Sequence, residues 1–188
     1  MGDAGKPRQV RDYSATDEAQ WIRCRVLAFL DTSYFDDVLT RKPARDGDLQ
    51  IVAVVDGTTA GLLDARMDGV ESTIETVAVH PDHRRCGIGR TLMQRIYPRL
   101  QSRGADQVHA WTRDDRAALN WYRALGFEET MRYLHVYASS ADEAVGAFGM
   151  RTDLRPRGGF FHAWAEHEGA LRAEFERVHS CRRFSKHL

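Results

Sequence analysis

The chain has 188 residues, and its 27 Lys and Arg residues balance its 27 Asp and Glu residues, so the formal net charge is zero. A neutral chain is not drawn in bulk to nucleic acid or to a membrane surface, and no run of about 18 apolar residues is present that could span one. Three cysteines, an odd number without a CxxC pair, argue against a disulfide framework or a cysteine zinc site. Since the start also lacks the apolar segment of a secretory signal, the sequence predicts a soluble cytoplasmic protein without nucleic-acid or membrane partners.

The hydrophobic pattern of the first half predicts a strand, two helices and then three strands. The first strand covers 8–14, and an amphipathic helix over 16–30 follows it. A shorter helix is predicted over 33–42, ended by Pro43. Three β-rich runs come next, separated by the Asp-Gly pairs that are typical of hairpin turns, at 49–56, 59–68 and 72–80.

In the second half, helices and strands alternate. Helices are predicted at 89–102 and 115–125, and strands at 106–112 and 131–138. An extension at 138–188 carries a further helical pattern at 165–178 and a candidate closing strand at 178–184. This order predicts an α+β fold of one domain over 1–188, with its core at about 9–137.

A glycine-rich loop opens the helix predicted at 89–102. In the stretch VHPDHRRCGIGRTLMQRI, Gly87 and Gly89 let backbone N–H groups converge on an anion with no Cβ in the way. The helix N-terminus adds partial positive charge. The Walker A pattern is absent, and the Rossmann fingerprint fails at Leu92, where its third glycine belongs. The loop therefore predicts a phosphate site of another kind.

Two motifs carry a resemblance to a known family. The loop reads as Arg followed by two residues and Gly-x-Gly, here RRCGIG at 84–89, after the stretch ETVAVHPDHR. Downstream, ALNWYRALGF is a helix that bears a Tyr and ends in Gly-Phe. Together they resemble the coenzyme A loop and the second signature of the Gcn5-related N-acetyltransferases, the GNAT family, over about 13–137. The resemblance implies the GNAT fold, a mixed and mostly antiparallel sheet of about six to seven strands flanked by helices. It also implies acetyl-CoA as co-substrate and no metal.

The resemblance further implies which residues bind the cofactor. The loop contributes backbone N–H groups and basic side chains for the pyrophosphate, from Arg84, Arg85, Cys86, Gly87, Ile88, Gly89 and Arg90. The pantetheine arm pairs with the backbone of a strand that splays from its neighbour, at Val77, Ala78 and Val79. The family often places Asn eight residues before its Tyr, and here Asp114 stands at that position. Either this carboxylate accepts a hydrogen bond from the arm, or the contact is lost.

Acetyl transfer to an amine requires a base for the amine proton, donors for the developing oxyanion and an acid for the leaving thiolate. Glu75 interrupts an apolar strand and is the candidate base, and the alternative is a strand residue that faces solvent. The backbone N–H of Val77 or of a neighbour is the candidate oxyanion donor. Tyr122 matches the family's Tyr and is the candidate acid, and the alternative is a core aromatic beside Trp121.

The resemblance implies that the first two helices and the loop between the last two strands determine which acceptor is bound. Carboxylates and aromatics after the first helix favour a cationic amine, and two strand residues are further pocket candidates: Asp31, Tyr34, Phe35, Asp36, Trp111 and His135. The alternative is a helix cap with solvated acids. We therefore predict a small cationic metabolite or a drug-like amine as the acceptor.

Three alternatives stay open at this stage. The acceptor is a protein N-terminus or a lysine side chain if the site is an exposed groove. The protein is a non-catalytic acyl-CoA-binding sensor or interaction module if it keeps the loop without the chemistry. The extension at 138–188 serves either the acceptor pocket or a homodimer.

Overall fold

The computed structural model describes residues 9–43, 47–147 and 158–188. Within these ranges the elements are, in chain order, β1 Gln9–Asp12, α1 Glu18–Phe29, β2 Leu49–Val55, β3 Thr58–Asp68, β4 Glu71–Val79, α2 Ile88–Ser102, β5 Gln107–Thr112, α3 Arg116–Ala124, β6 Glu128–Ala138, α4 Ala141–Ala147, β7 Gly159–Trp164, α5 Glu168–Glu174 and β8 Arg177–His187. The predicted α+β class is confirmed.

The eight strands in the described residues form one sheet in the order β1-β2-β3-β4-β5-β8-β6-β7. Neighbouring strands are antiparallel except for β4 and β5, which run parallel because α2 crosses between them. The last strand lies inside the sheet, where Phe184 of β8 pairs with Ala110 and His179 pairs with His135. The mixed sheet implied by the resemblance is thus present, and it is larger than the predicted six to seven strands.

The extension accounts for the difference. The prediction missed β7, a short strand of six residues that forms the outer edge of the sheet beside β6. The helix predicted over 165–178 is too long, because α5 ends at Glu174 and the chain extends into β8 from Arg177. The predicted closing strand is present, and it continues to His187.

The helix predicted over 33–42 is wrong. Residues 31–36 form a series of turns, and 37–39 have no regular structure. The polar groups of this segment bind other elements instead of their own helix: the Ser33 N–H donates to the Asp115 carboxylate, and the Asp37 carboxylate accepts from Arg25. These contacts are non-local, so the local sequence pattern could not reveal them. We call residues 31–37 the acidic turn.

Helices cover the two faces of the sheet unequally. On one face, α2 and α3 pack on the centre of the sheet through residues such as Ile96 and Tyr122, and α4 and α5 continue this layer over β6 and β8. On the other face, α1 covers β2 to β4 with Trp21 and Cys24. Side chains alternate between faces along a strand, so the odd-numbered residues of β8, such as His179, point to the second face. On that face, no helix of the described residues covers β6 and β7.

Candidate functional site

Strands β4 and β5 separate halfway along their length. Their parallel pairing runs from Glu71 opposite Gln107 to Ile74 opposite Ala110 and then stops, although β4 continues to Val79. The separation coincides with an irregularity between β3 and β4, where Asp64 pairs with Thr76 and Ala65 with Ile74, so that Glu75 is an extra residue. Such a β-bulge bends a strand and increases its twist. The result is a V-shaped opening at the carboxyl end of β4.

Backbone groups of β4 face this opening. The His80 N–H donates to the Ala60 carbonyl at 2.9 Å, so His80 faces β3. Because backbone polar groups alternate along a strand, those of Ala78 also face β3, and those of Val77 and Val79 face the opening. This is the orientation that pairing with an extended ligand requires.

The glycine-rich loop lies directly after β4 and forms an anion site. Gly87 is the N-cap of α2 and has a φ of 81°, in the left-handed region, and Arg85 also has a positive φ of 65°. The Thr91 N–H donates to the Gly87 carbonyl. The earlier N–H groups of a helix have no acceptor within it, so those of Ile88, Gly89 and Arg90 are available to a ligand. Opening and loop together fit an extended molecule that carries phosphates.

Arg84 of this loop contacts the acidic turn. Its guanidinium donates two hydrogen bonds to the Asp31 carboxylate, at 2.7 and 2.8 Å, and one to the Ala28 carbonyl. The guanidinium holds the pKa of Asp31 below its usual value. Asp31, predicted to bind the acceptor, is therefore already neutralised by Arg84, and the pair connects the cofactor loop to the end of α1.

Tyr122 lies in the core on α3. Its ring stacks on Phe184 with centroids 5.5 Å apart and contacts Phe127 edge to face. Burial raises the pKa of its hydroxyl, which stays protonated over the whole physiological range. Both sequence interpretations are compatible with this geometry, because a core ring can carry a hydroxyl that donates a proton.

Glu75 lies on the bulge and forms an ion pair with Arg66 at 2.7 Å. It also lines a pocket of about 170 Å³. We call this the α1 pocket, and its lining residues are Trp21, Arg25, Leu39, Pro43, Asp48, Asp64, Glu75 and Thr76.

Asp114 contacts β8 and α5. Its carboxylate lies 2.9 Å from His179 Nδ1 and 3.5 Å from an Arg172 nitrogen. A contact between Asp114 and the cofactor arm would therefore have to compete with these two partners. Asn120, the other candidate for the family's missing amide, is exposed on α3.

Three of the predicted acceptor residues converge on Arg113, which is 6% exposed. The Arg113 backbone N–H donates to the Tyr34 hydroxyl at 2.9 Å, and its Nε donates to His135 Nδ1 at 3.1 Å. The Asp36 carboxylate lies 3.8 Å from the Arg113 guanidinium. It also forms a bidentate ion pair with Arg177, and this pair lowers the pKa of Asp36. Arg113 was not predicted as a site residue.

The remaining two predicted acceptor residues lie at the margins of this cluster. The Arg177 guanidinium stacks over the Phe35 ring, 4.6 Å from the ring centroid, and Phe35 is half exposed. Trp111 makes an edge-to-face contact with Tyr133 at 5.2 Å. The carboxylates of the acidic turn are thus paired with arginines of the chain, and they do not form the free anionic pocket that the sequence analysis expected.

An aromatic and histidine surface surrounds His135 on the uncovered face, and sequence reasoning missed most of it. His135 stacks on His162 at 5.0 Å, and its Nε2 lies 2.9 Å from the Tyr133 hydroxyl. Burial, followed by the charge of Arg113, lowers the pKa of His135 to about 4. The period-two pattern of Tyr133, His135 and Tyr137 on β6 was the signal that could have found it.

The described residues contain neither a metal-binding cluster nor a helix that could span a membrane. No group of three or more His, Cys, Asp or Glu side chains in 9–43, 47–147 and 158–188 is arranged to hold a metal ion. No helix in the same ranges is long and apolar enough to cross a membrane.

Comparisons with known proteins identify the chain as an acetyltransferase. The model of the acetyltransferase (GNAT) family matches residues 11–127, more than half of the chain. An acetyltransferase of Pectobacterium atrosepticum is 33% identical over 109 residues, which cover 57% of this chain and 76% of that protein. An acetyltransferase of Sodalis glossinidius is 32% identical over 109 residues, 57% of this chain and 75% of that protein. The chain belongs to the GNAT family, and it is an acyltransferase with acetyl-CoA as co-substrate.

Solved structures share the fold. The ribosomal-protein-S18-alanine N-acetyltransferase from Escherichia coli has a TM-score of 0.60 at 18% identity, covering 94% of this chain and 91% of that one. A Bacillus subtilis acetyltransferase in complex with CoA has a TM-score of 0.53 at 14% identity, covering 96% of this chain and 97% of that one. At these identities the likeness establishes the fold and not the acceptor.

Proposed function

We propose that this N-acetyltransferase acts on the primary amine of a small cationic metabolite or drug-like molecule, by direct transfer from the thioester of acetyl-CoA. The observation that carries the proposal is the V-shaped opening beside the glycine-rich loop, with Glu75 on its bulge. The backbone groups of Val77 and Val79, which face the opening, would pair with the pantetheine arm, whereas those of Ala78 face β3. The backbone of the loop at 84–90 would hold the pyrophosphate.

Each step of the transfer has a candidate group in this chain. The acetyl-CoA thioester supplies the acetyl group. Glu75 takes the proton that the attacking amine must lose, directly or through water. The backbone N–H of Val77 donates to the carbonyl oxygen as negative charge develops on it. Tyr122 returns a proton to the leaving sulfur as the new C–N bond forms and the C–S bond breaks.

A protein acceptor remains the alternative within the enzyme class. The aromatic and histidine surface favours it, because Phe160 and Trp164 on β7 are 50% and 73% exposed and an exposed groove suits a peptide. The α1 pocket favours the small acceptor, because it is a concave site of about 170 Å³ with Glu75 in its lining. The non-catalytic sensor would need neither Glu75 nor Tyr122.

The proposal is tested by measuring thiol release from acetyl-CoA across polyamines, aminoglycosides, amino acids and short peptides at pH 7 to 9. We expect release with one class of small amines and little with peptides. Release with peptides alone would establish the protein acceptor. Tight acetyl-CoA binding without release for any acceptor would favour the sensor.

A further inference from the structure

The edge strand β7 leaves one side of its backbone open and carries no protecting charge. In the described part of the chain, β7 pairs with β6 alone, over six consecutive positions without a bulge. Its sequence, GFFHAW, contains no Lys, Arg, Asp, Glu or Pro, in a chain that is 29% charged. Folded proteins usually protect an edge with charges, Pro, bulges or a very short strand, because an open edge pairs readily with another strand. β7 is therefore suited to take up a further strand.

The strand at the other edge of the sheet shows the usual protection. β1 has only four residues, and two of them are Arg11 and Asp12. A second chain that paired with β1 would have to accommodate both charges beside its own backbone. Pairing between chains is thus disfavoured at β1, and nothing comparable disfavours it at β7.

Two aromatic side chains of β7 are exposed on the face that no helix of the described residues covers. Phe160 lies opposite Tyr137 and Trp164 lies opposite Tyr133, so both point to the same face as His135. Phe160 is 50% exposed and Trp164 is 73% exposed. A single exposed apolar residue is ordinary, but two large aromatics beside partly buried tyrosines form a continuous patch, which is typical of an interaction site.

A second copy of β7 matches this edge. When two identical strands pair antiparallel about a twofold axis, residues at equal distances from the axis lie opposite each other and on the same face. With the axis at His162, Phe160 of each copy lies opposite Trp164 of the other. Aromatic pairs across strands stabilise a sheet, and this register forms such a pair on either side of the axis.

The charges beside β7 favour the same antiparallel arrangement. Arg155 and Arg157, which lie outside the described residues, precede the strand in the sequence. Glu166 follows the strand, and its side chain is 75% exposed. Antiparallel pairing brings the start of each strand to the end of the other, so the basic segment of one copy meets the acidic residue of its partner. The two edges are therefore complementary in charge.

The contact area indicates a weak dimer. A fully covered aromatic side chain buries about 150–250 Å², and Phe160 and Trp164 of each copy are half exposed or more. Together with the strand backbones, these side chains supply less than the total of about 1,200–2,000 Å² that a stable interface buries. We therefore expect a dimer with a dissociation constant in the micromolar range.

We infer that β7 is the interface of a homodimer, in which it pairs antiparallel with β7 of a second copy about a twofold axis at His162. The pairing joins the eight-stranded sheets of two chains into one continuous sheet. It gives the C-terminal extension a role in self-association. It also covers Phe160 and Trp164, so their exposure in a single chain no longer favours a protein acceptor.

Sedimentation velocity over a range of protein concentrations tests the inference. We expect one chain per particle at about 1 µM and two at about 300 µM, as for a weak interface. Trp164→Lys places a charge on the edge and removes an aromatic anchor, and it should raise the dissociation constant about tenfold or more. Val70→Lys is the matched control, because Val70 is also apolar and 59% exposed but lies between β3 and β4, in the other half of the sheet. It should keep the wild-type dissociation constant.

A cysteine at the expected axis tests the register. There the two residues 162 lie directly opposite each other, with Cα atoms about 4.5–5.5 Å apart, a distance that a disulfide spans. His162→Cys should form a disulfide between chains when diamide accepts the two hydrogen atoms of the thiol pair. The wild type, which has Cys86 partly exposed, should not, and His162→Cys combined with Trp164→Lys should crosslink far less.

Several results would overturn the inference. A wild type that stays monomeric at about 300 µM, or a dimer that Trp164→Lys leaves intact, would show that β7 is not the interface. A dimer without the disulfide in His162→Cys would contradict the pairing about His162. If the chain is monomeric and Trp164→Lys raises KM for a peptide in the thiol-release assay, the aromatic and histidine surface binds the acceptor instead of a second copy.

Discussion

At the scale of single residues, burial decides which groups can exchange protons. Burial raises the pKa of Tyr122, and its ring packs against Phe127 and Phe184. At physiological pH the hydroxyl therefore keeps its proton, so it can act as a proton donor and not as a base. We expect Tyr122→Phe to lower kcat about 10²-fold, the lower range for a general acid, while KM for acetyl-CoA changes little because the ring packing is kept. Steady-state kinetics of thiol release measure both constants.

Tyr97→Phe is the matched control for this variant. Burial also raises the pKa of Tyr97, to about 12, and its ring packs against the same core from α2. The kcat of the Tyr97→Phe variant should stay close to that of the wild type. Equal kcat values for wild type and Tyr122→Phe would leave Tyr122 as a core aromatic and remove it from the mechanism.

His135 predicts a pH dependence of stability. Burial is the main cause that lowers its pKa from 6.5 to about 4. Between these two pH values, the imidazole is protonated in the unfolded chain and neutral in the folded chain. Stability is therefore lost as the pH falls from 6.5 towards 4. From pH 7 to pH 5 we expect the wild type to lose about 1–2 kcal/mol more free energy of unfolding than His135→Gln.

Urea unfolding at the two pH values measures this difference. His167→Gln is the control, because His167 is exposed and its pairing with Glu166 lies on the surface. It should lose as much stability as the wild type between pH 7 and pH 5. A His135→Gln variant that loses as much would show that the imidazole is free to take up a proton in the folded chain.

At the scale of elements, the packing of α2 against β3 positions the cofactor loop. A Cβ at Gly61 would lie 2.6 Å from Ile88 Cγ2 and 3.3 Å from the Ala78 carbonyl oxygen. Ile88 is the first residue of α2 and directly follows Gly87 of the anion site. We expect Gly61→Ala to push the start of α2 outward, to cost about 1–3 kcal/mol of stability, and to weaken acetyl-CoA binding several-fold.

Calorimetric titration with acetyl-CoA and urea unfolding measure the two effects. Gly169→Ala on α5 is the control, since a Cβ there meets nothing within 4 Å, and it should leave acetyl-CoA binding unchanged. Wild-type affinity in Gly61→Ala would mean that the loop is positioned independently of how α2 packs on the sheet.

The acidic turn explains where sequence reasoning about elements failed. The helical pattern over 33–42 is real, but Ser33 and Asp36 bind Asp115 and Arg177, which lie 82 and 141 positions further along the chain. The glycine-rich loop was predictable because its chemistry is local: glycines, basic residues and a helix start lie within ten residues. Arg113 was missed for the opposite reason, since its partners lie on the acidic turn and on β6, which meet it only in the fold.

At the scale of the whole molecule, the position of β8 is the feature that the sequence pattern could not predict. A strand at 178–184 was expected from its alternation, yet periodicity does not say which strands it pairs with. β8 inserts between β5 and β6 and brings Phe184 onto Tyr122. The C-terminal extension is therefore part of the sheet beside the site, although the family model ends at residue 127.

This position predicts how the extension contributes to stability. Phe184 is fully buried, so Phe184→Ala should cost about 3–5 kcal/mol, a large part of the total for an ordinary domain. Removing 175–188 should abolish the cooperative unfolding transition at 25 °C, because β5 and β6 then lose their shared partner in the centre of the sheet. Phe160→Ala, at a half-exposed position on the edge strand β7, is the control and should cost less than about 1 kcal/mol.

Urea unfolding followed by circular dichroism distinguishes the three chains. A shortened chain that unfolds at the wild-type midpoint would mean that β5 and β6 are stable without β8, and that the extension is an appendage to the catalytic sheet.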